Sequence, residues 1–229
     1  MNHDLNYENF LVNRPLWASF EKDQYDIPRL WKTKMSKKKA AESDILNSRN
    51  LSTKMNLTSK IIENFAYDYD LEAIWRNPFS KLAKLRKTAC VLTPDFSVTP
   101  SMGKAQVIEN TFKNRWIGCF YQQESIDIIP TITWADEWTY EICIQGIEIK
   151  NPVAVSTIGV SDKNMFLKGY RYFMENIKPE YVICYGKRIP GMYGNIIVYD
   201  YEDAFMPKED VQLRLFPISR LEVIEKEEF

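Results

Sequence analysis

The chain has 229 residues, 45% of them hydrophobic, 27% charged and 14% aromatic, with 30 Lys and Arg set against 31 Asp and Glu. A formal charge of -1 speaks against a protein whose main work is coating nucleic acid or anionic membrane. The single histidine, His3, leaves almost no room for a Ser-His-Asp triad, a Cys-His dyad or a histidine-held zinc site.

No apolar run nears the roughly twenty residues of a membrane span, and residues 1–20 hold no signal-peptide core, so a cytoplasmic protein without membrane attachment is expected. Charge is unevenly spread: residues 1–60 carry eleven basic and seven acidic side chains, residues 201–229 four and eight. Residues 1–58 therefore read as a polar N-terminal arm, with Lys32, Lys34, Lys37, Lys38 and Lys39 clustered and Trp17, Leu30 and Trp31 as docking anchors. Such a run is the usual pattern of a solvated face, and more rarely a weak nucleic-acid contact. Residues 59–205 read as an α/β core domain, and 206–229 as an acidic C-terminal tail.

The core is expected to begin with a strand at 61–66 and a helix near Pro78 that carries Phe79, Leu82 and Leu85 on one stripe. A short apolar strand at 89–92 runs into Thr93-Pro94-Asp95-Phe96-Ser97. The spacing of Ile108, Phe112, Trp116 and Cys119 predicts a helix over 103–122. Residues 126–134 read as a strand that Pro130 confines to an edge or a bulge. Val153 to Ile158 is β-branched and stopped by Gly159. A helix over 162–177 follows, with Phe166, Tyr170, Phe173 and Ile177 on one face; strands at 181–185 and 195–199 complete the pattern. Apolar strands alternating with helices predict a mostly parallel sheet of about five or six strands with covering helices, open or partly closed and barrel-like, too few for a standard eight-stranded barrel.

In such sheets ligands gather beyond the carboxyl ends of the strands. Polar groups collect there: Asp95 and Ser97; Thr133, Trp134, Asp136 and Glu137; Ser156 and Thr157; Tyr185 and Lys187. Carboxylates facing hydroxyls and a lysine suit acid–base work, or a divalent cation held by Asp95 and Asp136. The same residues also suit plainer roles, since Asp95, Ser97 and Asp136 are good turn or helix caps. Arg115, inside an apolar-periodic helix, either reaches the surface or pairs with an acid in the pocket. Pro94-Asp95 with Glu148-Ile149-Lys150 imitates a metal-dependent nuclease signature across too long an interval. With eight glycines there is no P-loop and no G-x-G-x-x-G turn. Cys90, Cys119, Cys143 and Cys184 form no C-x-x-C pair and read as small buried hydrophobes.

Taken in order, Thr-Pro-Asp-Phe-Ser (93–97), Asn-Arg-x-x-Gly (114–118), Ile-Pro-Thr-x-x-Trp (129–134), Val-Ser-Thr-x-Gly (155–159) and Tyr-Gly (185–186) resemble the family catalogued as domain of unknown function 4417. That family occurs in phages and Gram-positive bacteria. The resemblance spans about residues 60–205, leaves the lysine-rich segment and the tail outside, and does not include Glu148 and Lys150. It implies a phage or prophage origin and carries no established activity. Two functions from different classes follow. One is a ligand or metal pocket at the strand ends, in a nucleotide binder or histidine-free hydrolase. The other is a protein without chemistry of its own that binds a host or phage protein, an option that the aromatic content favours, or serves as a nucleic-acid accessory factor.

Overall fold

The computed structural model describes residues 7–52, 54–201 and 221–224, which form eight strands and seven α-helices. Strands β1 (Asp44–Asn47), β2 (Lys60–Glu63), β3 (Cys90–Leu92) and β4 (Ile128–Ile129) pair in chain order, all parallel. A second sheet continues with β5 (Val153–Ser156), β6 (Val182–Tyr185) and β7 (Gly194–Tyr199), again parallel and in order. Strand β8 (Leu221–Ile224) closes it, antiparallel to β7. The mostly parallel α/β architecture is as the sequence predicts. The strand number differs, because β1 and β8 fall in segments read as arm and tail.

Pro130 marks the seam between the sheets rather than an edge. Thr93 N–H donates to Ile129 O at 3.1 Å within the first sheet, while Ala154 N–H donates to Pro130 O at 2.8 Å in the second. A parallel bridge between Thr131 and Ala154 joins the two. The ring nitrogen, with nothing to donate, sits where the chain changes ladder partners.

Both faces of the strands are covered, which is why they read as continuous apolar runs. Cys90, Leu92, Ile61, Ile129, Ala154, Ile183 and Ile197 share one interior cluster, fed by strands of both sheets. The alternate residues, such as Ile62, Val91, Ile128, Val153 and Val182, turn outward to the helices. The strands thus curve round a common interior. Among the described residues no ladder joins β1 to β7 or β8; instead the Tyr199 hydroxyl donates to the carbonyls of Ala40 and Ser43, just before β1.

The segment ahead of β1 plugs the amino ends of the strands. Met35 and Ala40 enter the interior cluster. Thr33 N–H donates to Asn151 Oδ1 at 3.1 Å and its hydroxyl to Asp127 Oδ1 at 2.8 Å. Tyr181 donates to Met35 O at 2.7 Å. Residues 30–47 are therefore woven into the core, unlike the arm expected over 1–58. Upstream, α1 (Tyr7–Asn13) is pinned by Phe10 against Phe79, Trp116 and Phe120. The expected tail over 206–229 lies outside the described residues except for β8, and so does His3.

Helices α2 (Lys37–Glu42), α3 (Asp68–Arg76), α4 (Leu82–Leu85), α5 (Lys104–Gln123), α6 (Glu137–Cys143) and α7 (Lys163–Asn176) cover or flank the strands. The long helix α5 is buried along most of its length, and its Gly118 lets Leu30 and Thr93 approach so closely that an added Cβ would stand 2.6 and 2.8 Å from them. Ser36 caps α2 and Asp162 caps α7, each accepting a first-turn N–H. All four cysteines are buried, as the sequence suggests.

Candidate strand-end cleft

The loops that follow β3, β4 and β5, with the first turn of α7, enclose a cleft of about 350 Å3. Asp95, Ser97, Thr133 and Ser156 give it a polar side; Ile132, Trp134, Met165 and Phe166 give it an apolar one. The loop 158–162, turning at Gly159 with φ +75°, forms its mouth. Trp134 and Phe166 lie 4.8 Å apart between ring centroids, and Gly169 makes room for the indole: a Cβ there would meet Trp134 Nε1 at 2.1 Å.

The polar side is held from behind. Asn114 Nδ2 donates to Pro94 O and to Thr131 Oγ1, both at 2.7 Å, and Asn110 Nδ2 donates to Ser97 O at 2.7 Å. Ser97 donates its N–H and its hydroxyl to Asp68 Oδ1, at 3.0 and 3.1 Å. Thr133 donates its hydroxyl to Asp95. Burial pushes the Asp95 carboxyl up to about 6; the Thr133 hydrogen bond opposes this, neighbouring Asp68 adds to it, and Arg115 opposes it weakly. Among the described residues Asp95 has no Lys or Arg within ion-pairing distance.

Arg115 does neither of the things its place in the sequence suggests. It is 1% exposed, and its guanidinium spends its donors on carbonyls: Nε on Gln145 at 2.8 Å, Nη1 on Thr131 at 3.0 Å, Nη2 on Cys143 at 2.7 Å. Nη1 also donates to Asn114 Oδ1. It therefore ties α5 to the end of α6 and to the β4 loop behind the cleft, and desolvation lowers its pKa to about 10.

Of the residues singled out in the sequence, Asp95, Ser97, Thr133, Trp134 and Ser156 line the cleft, whereas Arg115, Asp136, Glu137, Thr157, Tyr185 and Lys187 do not. Asp136 occupies the N-cap position of α6 without a capping side-chain bond, and Glu137 is exposed in the first turn. Thr157 donates to Lys187 O at 2.8 Å, stitching two loops, while Lys187 itself is exposed. Tyr185 points to the interior, where it stacks on Phe65 with centroids 4.9 Å apart. Among the described residues no three His, Cys, Asp or Glu group as a metal site, and Asp136 is not part of the cleft that holds Asp95. Glu148 and Lys150 sit in the exposed turn before β5, at the opposite end of the strands from Asp95. Lys32, Lys34, Lys38 and Lys39 are exposed and Lys37 half-exposed on the plug, also at the amino ends, with Lys32 paired to Glu180 at 2.6 Å.

A second polar group, Glu63, is not among those candidates. It ends β2, is fully buried, and accepts from Asn47 Nδ2 at 2.5 Å, Phe65 N–H at 2.6 Å and the Tyr185 hydroxyl at 3.4 Å. It joins the ends of β1, β2 and β6 across the interior. Burial pushes its carboxyl up to about 7, against the pull of those hydrogen bonds and of Arg49. The sequence signal was a lone carboxylate after Ile61-Ile62, on the inward parity of Ile61. Because the folded pKa exceeds the ordinary 4.5, this group's contribution to stability is full below pH 4.5 and lost as pH rises through about 7. Glu63→Gln should flatten that pH dependence by about 3 kcal/mol, from about 1.36 kcal/mol per unit. Denaturant melts of both proteins at a series of pH values between these limits check it; parallel curves would contradict it.

The fold and cleft define an α/β protein with sequentially ordered parallel strands and a ligand-sized opening at their carboxyl ends. The chain belongs to the family described as Domain of unknown function (DUF4417), which matches residues 20–202. The family match thus takes in the plug, reaching further toward the N-terminus than the motifs indicate. The chain is similar to the Gene 1 protein of Mycobacterium phage L5, 34% identical over 127 residues that make up 54% of this chain and 56% of that protein. It is similar also to the Gene 1 protein of Mycobacterium phage D29, 31% identical over 127 residues, 54% of this chain and 47% of that one. The matched stretch spans about half the length of these relatives. No solved structure matches. Among the described residues no helix is long and apolar enough to cross a membrane.

Proposed function

We propose that this phage-type protein works by binding a small molecule in the cleft at the ends of β3, β4 and β5, with Asp95 as the anchor. The supporting observation is Asp95 itself: a carboxyl on the cleft wall with no cationic partner among the described residues, held where burial disfavours its charge. Glu63 carries the same burden but is enclosed among strand ends, whereas Asp95 carries it on the wall of an open cleft, a position that suits a side chain kept for binding. A carboxyl that titrates near 6 is also suited to proton transfer, so a histidine-free hydrolase would draw on the same residue.

The test turns on sign. Since the folded pKa of Asp95 lies above its ordinary 3.8, its contribution to stability is full below that value and lost as pH rises through about 6. Asp95→Asn should therefore stabilise the protein near neutral pH by about 1–3 kcal/mol, the lower part of the range allowing for water in the open cleft. Ligand binding should fall in the same variant. Equilibrium urea unfolding of the two proteins decides it: a variant less stable than wild type would mark Asp95 as a structural residue.

A second reading is supported by the same rim. Tyr67 and Tyr69 are 71% and 72% exposed and stack with centroids 5.7 Å apart at the start of α3, beside Asp68. Such a pair suits docking of a host or phage protein. Replacing both with Ser should leave stability within about 0.5 kcal/mol and remove any protein partner that purified wild-type chain binds.

A further inference from the structure

The charged side chains lining the cleft are both acidic. Asp95 stands on the polar side and Asp162 at the mouth, and among the described residues no Lys, Arg or His lines the cleft. The nearest buried cation, Arg115, lies behind the wall with its donors turned to carbonyl oxygens. The N-terminus of α7 offers little to an anion either, since Asp162 occupies the Met165 N–H at 2.9 Å. A phosphate or carboxylate would enter against two carboxylates with no cation to meet it. A positively charged group would meet carboxylates instead, beside an apolar wall that includes Trp134 and Phe166.

Resting on the reading of the cleft as a ligand site, we propose that its ligand is a small organic cation: a primary amine or amidine on a compact apolar body, its charge against Asp95 and its body against Trp134, Met165 and Phe166. Nucleotides and other phosphorylated compounds would meet charge of the wrong sign here, so this proposal departs from the nucleotide-binding expectation drawn from the sequence. The volume of about 350 Å3 admits a molecule the size of an arylalkylamine. The ionisable groups facing Asp95 are Asp68 from α3 and Arg115 from α5, with the Thr133 hydroxyl in contact and Asp162 across the cleft. An incoming cation favours the ionised carboxylate, so binding releases a proton whenever Asp95 starts neutral.

Three probes of nearly equal size separate charge from shape: 2-phenylethylamine, 2-phenylethanol and 3-phenylpropionate. Each is titrated into the full-length protein while the indole N–H resonance of Trp134, assigned with Trp134→Phe, is followed by NMR. The amine is expected to bind at least tenfold more tightly than the alcohol, and the carboxylate not to bind. Asp95→Asn should weaken the amine about tenfold, a charge pair's worth in a partly buried site, and leave the alcohol within about twofold. Amine affinity in wild type should fall about tenfold from neutrality to about pH 5, where a carboxyl with a pKa near 6 is mostly protonated; this fall should be missing in the variant. Equal binding of amine and alcohol, or tighter binding of the carboxylate, overturns the cation assignment and leaves the cleft standing as a ligand site. Failure of all three to move the Trp134 resonance overturns both.

Discussion

A chain lacking residues 1–43 is expected to lose cooperative unfolding altogether. Phe10, Ile27, Leu30 and Met35 are each at most 3% exposed, and all four would leave. At about 1.5–3 kcal/mol for each large apolar side chain, the loss is about 6–12 kcal/mol, comparable to the whole stability of a typical domain, about 5–15 kcal/mol. Polar groups would be stranded as well. Tyr181 and Tyr199 would lose the carbonyls of Met35 and Ser43, and Gln122 would lose the Trp31 N–H and carbonyl that it bonds at 2.9 and 2.8 Å. Leu30 would vacate the groove over Gly118. Circular dichroism during heating, with a dye that reports exposed apolar surface, is the measurement. A soluble truncated chain with a sharp melt would show that the plug merely decorates the core.

Arg115→Met should cost about 3–5 kcal/mol, the range for removing one member of a buried polar network. Methionine can follow the aliphatic stem, so packing loss is small. Three carbonyls and the Asn114 amide oxygen are left without their donor, each deficit worth about 1–3 kcal/mol before relaxation, partly offset because a buried charge is also removed. Arg115→Lys should fall between, since one ammonium cannot span carbonyls reached by a fork of three nitrogens. Ligand binding should weaken too, although Arg115 does not line the cleft, because Thr131 and the residues after it lose their support. A urea-unfolding loss below about 1 kcal/mol, inside the ordinary range for point substitutions, would mean that water replaces the guanidinium at these carbonyls.

Long or strongly periodic segments were legible from sequence. The stripe along α5 and the β-branched run of β5 carry their own pattern, and parallel pairing follows from helix-length connections. Strand β1 was hidden because four residues between lysine- and serine-rich flanks show too few alternations to register, and its place is set by pairing with β2. Pro130 signalled an interruption without saying that a second sheet begins there. The candidate site was legible by position along each strand but not by direction. Asp95 and Ser156 enter one cleft while Thr157 and Lys187 join a loop–loop tie and Tyr185 turns inward, a sorting made by strand curvature and by neighbours distant in sequence. Arg115 shows the same limit, since its partners are backbone carbonyls that no residue pattern displays.

The claim that the cleft holds an organic cation against Asp95 is tested most directly by a crystal structure of the full-length protein soaked in 2-phenylethylamine near neutral pH. The expected result is the probe's ring against Trp134, Met165 and Phe166 with its nitrogen within hydrogen-bonding distance of the Asp95 carboxylate, and that position empty in Asp95→Asn crystals soaked alike. An empty wild-type cleft, with the probe bound elsewhere or nowhere, would contradict it.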